Sequence, residues 1–421
     1  MRICIKRHVR AALTVLSLSA ASASPALAQA PAPKVTTVPD LTGKQVLVQL
    51  SNPATAIATG DIIATMAAAE IATQPFGTSS GGFVFKLDPS TGLLARTTTS
   101  YGPSFTERAI TSGEGVISAG ATFSNSSYDK LSDFSLSALP MGITTGTSQT
   151  AVGTTVGNLK LSSQTVAISG TIGVTADLDV GVIVPLVTVK LSGTSVMTNG
   201  AVIPRIAQTD GVFSGLGDIA ASAKYRVVKF KKPDTEVTDP GGIALFVNMR
   251  LPTGDRDNLR GLGVTRTLVS GVVSFGRGPI RPHGQVGYEF WSKSVDALSG
   301  NGLAVVQMRG QFVYAGGVEI VAAPKLTLLA DFIGQNIGGA GPVVLGPATP
   351  FPPVAGVSPQ PITSTQSLAL QEDGITKALF APGLKLNLKA KLVLSLNALI
   401  TMTNNGLHSK VTPVAGINLT M

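Results

Sequence analysis

From about residue 114 to the end, apolar and polar residues alternate with a period of two, which places neighbouring side chains on opposite faces of a strand. In 163–174, Val166, Ile168, Ile172 and Val174 oppose Ser163, Thr165, Ser169 and Thr171. In 243–251, Ile243, Leu245, Val247, Met249 and Leu251 oppose Asn248 and Arg250. In 305–318, Val306, Met308, Phe312, Tyr314 and Val318 oppose Gln307, Arg309 and Gln311. The last segment puts Val411, Pro413, Ala415, Ile417, Leu419 and Met421 on one face. About twelve such strands are predicted, near 114–128, 157–173, 178–190, 215–229, 241–253, 263–276, 281–295, 303–318, 324–337, 374–388, 390–402 and 410–421. Connections of two lengths separate them, long ones at 129–156, 191–214 and 338–373 and short ones at 174–177, 277–280, 319–323 and 388–390.

Strands longer than the roughly 5–6 residues usual in soluble sheets, joined alternately by long and short connections, are the pattern of a membrane barrel with external loops and tight periplasmic turns. The expected fold is all-β: a transmembrane up-and-down antiparallel barrel of about twelve strands, with fourteen the nearest alternative. A soluble sandwich gives the same alternation, but not the loop asymmetry. With twelve strands, both ends of the barrel lie on the periplasmic side.

The region before the barrel reads differently. Residues 1–28 have a basic start (Arg2, Lys6, Arg7, Arg10), an apolar stretch (11–20) and a small-residue end at Ala26-Leu27-Ala28, which predicts a secretory signal peptide cleaved after Ala28. Residues 29–113 are expected to form a plug-like or periplasmic segment. It comprises a Pro/Ala-rich linker, one or two Ala-rich helices in 53–74 joined near Gly60-Asp61, and a short hairpin in 81–99 turning at Pro89–Gly92. The barrel then occupies 114–421.

Composition narrows the function classes. Charged residues are 13% of 421, half the roughly 25% of soluble domains, and Cys4 is the only cysteine, which excludes a disulfide scaffold and a zinc-thiolate site. Loss of the leader lowers the formal charge from +9 to about +5, which argues against a nucleic-acid partner. No later segment offers 18 uncharged apolar residues in a row, so membrane crossing would fall to strands.

Ser214-Gly-Leu-Gly-Asp-Ile-Ala-Ala-Ser-Ala-Lys-Tyr-Arg226, followed by Leu251-Pro-Thr-Gly-Asp-Arg-Asp257 and Gly261-Leu-Gly263, resembles the outer-membrane family named for the meta-pathway of phenol degradation. Lys410–Asn418 is similar to that family's last strand, and Gly77–Phe83 with Phe105–Arg108 to its N-terminal region. The resemblance covers most of 77–421. It implies an outer-membrane transporter, distantly similar to the channels for long-chain fatty acids and toluene, whose N-terminal motif is matched by Asn52-Pro53-Ala54. The cargo it implies is a small hydrophobic or amphipathic solute, including aromatic degradation substrates.

Chemistry is sparse. His283 and His408 are the histidines beyond the leader; His283 is expected at a periplasmic strand start and His408 in an external turn, and neither is placed by its strand to activate a serine. Asp255, Asp257 and Asn258 read as turn residues rather than a cation site. Gly215-Leu-Gly217 and Gly261-Leu-Gly263 lack the Lys-Ser/Thr of a phosphate loop. No catalytic residue, metal or cofactor is predicted. The informative face is the polar one. Lys224, Arg226, Asn248, Arg250, Arg266, Gln285, Glu289, Gln307, Arg309, Gln311, Asp331, Lys385 and Asn397 are expected to point into the lumen. They would serve either as an ion-pair network holding a narrow barrel closed or as a path for anionic or amphipathic solutes. A barrel with a structural or adhesive role and no transport, and an outer-membrane hydrolase, are the competing readings.

Overall fold

The computed structural model describes residues 41–51, 55–78, 82–87, 94–96, 98–147, 153–199, 202–231, 239–276, 278–299, 304–350, 353, 355–356, 362–389 and 391–421. The expected leader, residues 29–40 of the expected 29–52 linker, Asn52-Pro53-Ala54 and the Pro89–Gly92 turn lie outside them.

Twelve strands close into one antiparallel ring: β1 (Ile117–Tyr128), β2 (Gly153–Thr175), β3 (Leu178–Asn199), β4 (Ala220–Lys229), β5 (Gly241–Arg250), β6 (Arg266–Phe275), β7 (Ile280–Trp291), β8 (Gln311–Ala323), β9 (Leu326–Ile337), β10 (Ile375–Lys389), β11 (Leu392–Thr401) and β12 (Val411–Thr420). Each pairs with its neighbours in sequence, and the seam is β12 on β1, in register from Val414↔Ser124 to Thr420↔Ser118. Closure leaves the ring with no unpaired edge. Val166, Ile168 and Ile172 on β2, Ile243 and Leu245 on β5, and Ile417 and Leu419 on β12 are exposed on the outer face. Ser163, Thr165 and Thr171 on β2, and Thr412 and Thr420 on β12, are buried. This is the alternation expected of a wall with lipid outside.

β2 and β3 run further than the alternation alone predicted, to 23 and 22 residues. At about 3.3 Å per residue each is roughly 75 Å long, far beyond the roughly 25 Å apolar band of a membrane barrel even when tilted. Their far ends pair with Leu139–Thr145 and Val202–Leu216, and Ser364–Gln366 and Thr349–Pro350 extend the sheet. Much of 129–156 and 191–214, expected as loop, is therefore strand. The polarity of the pleat inverts along the way. In the lipid band the apolar side chains face out, whereas above it Leu159, Leu161, Val189 and Leu191 are buried on the inner side and Lys160 and Lys190 stand exposed. The period of two is unbroken, so only the meaning of the apolar face changes.

The inverted sheet covers two helices, α1 (Gly43–Leu50) and α2 (Ala56–Thr73). α1 begins in a capping box, Thr42 accepting from Gln45 N while the Gln45 side chain accepts from Thr42 N. α2 is apolar on all sides because it is encased on all sides; it is long and apolar enough to cross a membrane, yet it lies inside the protein. Val46, Leu47 and Leu50 of α1, Ile62, Ile63 and Met66 of α2, and Leu159, Leu191, Leu259 and Val295 from strands and loops form one core at the long-loop end.

The stretch 53–74 holds one helix, α2, with no break near Gly60-Asp61, and α1 falls inside the stretch 29–52 that reads as linker in the sequence. Gly60 instead sits within α2 where α1 crosses it, and a Cβ there would lie 2.6 Å from Val48 Cγ2 and 2.9 Å from the Val48 backbone. Asp61 is accommodated in the helix because it pairs with Lys44 and accepts from Leu298 N. Gly60→Ala is expected to push the helices apart and cost about 1–3 kcal/mol, measured as a lower thermal midpoint with barrel secondary structure unchanged below it.

One predicted strand is corrected. The segment 303–318 divides into Ala304–Met308, which pairs with Val295–Ser299 as a hairpin in the long-loop region, and β8, which starts at Gln311. The chain leaves the barrel after Trp291 and re-enters it at Arg309-Gly310. Val306 and Met308 are buried in the helix core instead of facing lipid, and Gln307 and Arg309 are exposed, so these two do not face the lumen. The hairpin's apolar side covers the helix core while its polar side meets water, an alternation that sequence periodicity does not separate from that of a lipid-facing strand.

Candidate functional site

Beyond α2 the chain crosses the lumen and ends at the short-turn rim, where Ile117 N and Met421 O, and Met421 N and Ile117 O, are hydrogen-bonded. The end of α2 is held by cations, as the negative end of a helix dipole favours. Arg266 Nη2 donates to Ala72 O at 2.9 Å, Arg250 Nη1 donates to the same carbonyl, and Lys377 pairs with Glu70. Phe76 lies under the Arg250 guanidinium, 4.6 Å from ring centroid to Cζ.

Further down, described residues of the crossing segment meet the wall at several points. Asp331 accepts from Ser104 N (3.3 Å), Phe105 N (3.2 Å) and His283 Nε2 (3.0 Å). Lys224 Nζ donates to Glu107 (3.1 Å), and Asp179 accepts from Ser112 N at 2.9 and 3.0 Å. Lys385 Nζ donates to the carbonyls of Tyr101 and Pro103, and Gln285 accepts from Glu107 N.

The expected lumen residues fall as follows. Lys224, Arg226, Arg266, Glu289, Gln311, Asp331 and Lys385 are buried, and Asn248, Arg250, Gln285 and Asn397 are half-buried against interior space. Gln307 and Arg309 are the two exceptions already described. Of the carboxylates that neutralise the cations, Glu289 was among the expected lumen residues; Glu107 and Asp179 for Lys224, Asp177 and Asp239 for Arg226, and Asp218, which joins Glu289 at Arg266, were not. Glu107 lies in the segment before the barrel, Asp179 and Asp218 lie at or just before strand starts, and Asp177 and Asp239 lie outside the strands. The basic excess read from the sequence is therefore largely cancelled.

Asp218 also explains the glycine-rich motifs. Its carboxylate accepts from Gly254 N (3.1 Å) and lies 3.2 Å from Arg266 Nη2. A Cβ on Gly254 or Gly261 would come within 2.9 or 2.5 Å of Asp218 Oδ1. The Gly-Leu-Gly-Asp, Leu-Pro-Thr-Gly and Gly-Leu-Gly segments thus converge on one buried carboxylate. Asp255 closes the adjoining turn by accepting from Asp257 N, Asn258 N and Asn258 Nδ2.

His283 is buried between Asp331 and Glu319, whose Oε1 lies 4.0 Å from Nδ1. His408 is buried in a two-residue strand paired with Lys130–Leu131, not in an open turn, and the Ser409 hydroxyl bonds to Thr412 Oγ1 at 2.7 Å rather than to the imidazole. Among the described residues no group of three or more His, Cys, Asp or Glu could hold a metal ion.

At the short-turn end, burial pushes the Asp177 carboxyl up, but Lys229 and Arg226 beside it outweigh burial and hold it below the usual carboxylate range. Asp177 therefore contributes stability above its unfolded-state pKa and loses it as pH falls through the folded value. Asp177→Asn is expected to flatten the acid limb of a stability-against-pH curve while leaving its alkaline limb in place. Side-chain exposure at this pair keeps the effect small.

Among the described residues, two chambers flank the crossing segment. One, of about 110 Å³, lies below the end of α2 and is lined by Phe76, Phe105, Phe246, Asn248, Arg250 and Gln311 among others. The other, of about 60 Å³, is lined by Thr78, Ser104, Lys385, Asn397 and Asn418 among others, and shares Phe76, Gly77, Thr78, Phe105 and Ile183 with the first.

A sealed antiparallel ring, apolar outside, charged and polar inside, with long loops at one end and short turns at the other, defines a transmembrane β-barrel of the bacterial outer-membrane class. No protein-family profile matches the chain, and no curated protein matches it by sequence. Among solved structures it is similar to an outer-membrane channel from Pseudomonas putida F1, at 12% identity over 74% of this chain and 98% of the other, with a TM-score of 0.43. It is also similar to a FadL homologue from Pseudomonas aeruginosa (11%, 83% and 99%, TM-score 0.33) and to the β domain of a Bordetella autotransporter (10%, 73% and 100%, TM-score 0.35). At this identity the likeness is one of fold.

Proposed function

We propose that the chain is an outer-membrane channel for small hydrophobic or amphipathic compounds, of the kind its resemblance to the phenol meta-pathway family implies. In this reading residues 1–28 direct export, residues 29–113 are the gate, and 114–421 the lipid-embedded wall. The observation that carries it is the manner in which the lumen is filled. Among the described residues the crossing segment is fixed by side-chain ion pairs and hydrogen bonds rather than by strand pairing to the wall, and chambers remain beside it. Such contacts can be exchanged one at a time, whereas a strand added to the ring could not be withdrawn without opening it. The eleven inward residues named above then act as an ion-pair lining that positions the gate.

The test is planar-bilayer conductance and liposome uptake for the full barrel and for a form lacking residues 31–113. Removal of the segment is expected to raise conductance at least tenfold; absence of flux for any solute in either form rejects transport. One observation favours a second reading, a structural or adhesive barrel: the sheet of β2 and β3 that stands beyond the lipid band. The same absence of flux would select it.

A further inference from the structure

We infer that the larger chamber is a selecting site for neutral solutes that carry an aromatic or similarly compact apolar body and one hydrogen-bond donor, and that it turns away carboxylates. This rests on the transport reading and adds the chemistry of the cargo. Three phenyl rings, Phe76, Phe105 and Phe246, supply apolar wall. A chamber of about 110 Å³ is of the order of the roughly 150 Å³ cavity known to take benzene.

The acceptor is Gln311. Its Nε2 donates to Glu289 Oε1 at 3.0 Å, and because an ionised carboxylate only accepts, this bond fixes which way the amide points. Gln311 Oε1 is then a buried carbonyl oxygen with no partner within the protein. Leaving such a group unpaired costs about 1–3 kcal/mol, and a solute O–H would relieve that cost.

Charge completes the selection. Arg250, Glu107 and Glu289 reach the chamber. Glu107 is neutralised by Lys224 and Glu289 by Arg266, while Arg250 is engaged by the Ala72 carbonyl at the end of α2 and by the Phe76 ring. A bound carboxylate would find both wall carboxylates already paired and Arg250 already engaged, with no cation left over among the described residues of the chamber lining to receive it, so its desolvation would go uncompensated.

Trp291, the only tryptophan in the chain, provides a reporter. Its Nε1 donates to the same Glu289 Oε1 at 2.8 Å, so a change at Gln311 reaches the indole through one shared oxygen. The full-length protein in detergent would be titrated with benzyl alcohol, benzyl methyl ether, toluene and benzoate, with Trp291 emission followed. Benzyl alcohol is expected to saturate. The ether, which lacks the donor, should bind about tenfold more weakly, and benzoate should not saturate at a hundred times the alcohol's dissociation constant. Gln311→Met should weaken benzyl alcohol about tenfold and leave toluene within about twofold.

Equal binding of alcohol and ether by the unmodified protein, or saturable benzoate binding, overturns the inference without any variant having to fold. Selective binding without flux would retain the site and reject the channel. Flux without this selectivity would do the reverse.

Discussion

Replacing Asp331 by leucine is expected to loosen the crossing segment and destabilise the protein by about 3–5 kcal/mol. The side chain is fully buried, and three donors converge on it: Ser104 N and Phe105 N from the segment, and His283 from the wall. Leucine removes the acceptor and leaves two backbone N–H groups and an imidazole in a dry interior, each without its partner. Asp331→Asn keeps one acceptor oxygen and should recover part of the loss. The measurement is the thermal midpoint, together with protease cleavage between residues 98 and 112. Cleavage unchanged in the leucine variant would show that the segment is held elsewhere.

The second large effect is expected at Arg266. This residue is wholly buried and joins three parts of the molecule: the end of α2 through Ala72 O, the glycine-walled Asp218, and Glu289 at the larger chamber. Arg266→Met strands two buried carboxylates, again at a cost of about 3–5 kcal/mol. Arg266→Lys keeps the charge but has no planar fork to reach three partners, so it should fall between the two. If methionine proves neutral, Asp218 and Glu289 must be neutralised by other groups, and the proposed link between gate and wall loses its centre.

Much of the barrel was legible because lipid imposes a simple rule on alternate residues. Val166, Ile168 and Ile172 could be read as outward from their spacing alone, and β9, β10, β11 and β12 begin and end within two residues of expectation. The same rule misled where the surroundings changed but the period did not. Val306 and Met308 alternate as lipid-facing residues do, yet their apolar side covers a helix core, which carried Gln307 and Arg309 out of the lumen. Leu159 and Leu191 keep the period with the faces exchanged, and the Gly, Ser and Thr of 153–156 and 191–199 gave these ends of β2 and β3 the look of loops.

Cations at inward positions could be named one by one. Their pairings could not, because Glu107 meets Lys224 across 117 residues and Asp218 meets Arg266 across 48, and no local pattern records them. Whether Gly60 divides one helix into two was open in the sequence for a similar reason: a glycine that admits a neighbouring backbone and a glycine that ends a helix look alike until the neighbour is known.

The route of residues 41–113 bears on assembly. Their helices lie at one mouth of the cylinder and their last residues at the other, so the polypeptide is threaded through a hoop that its own first and last strands fasten. A finished hoop would have to admit a bulky pair of packed helices end-on. Zipping β12 onto β1 around a strand-bound intermediate already holding its contents avoids that passage, and it makes fastening the closing event of biogenesis.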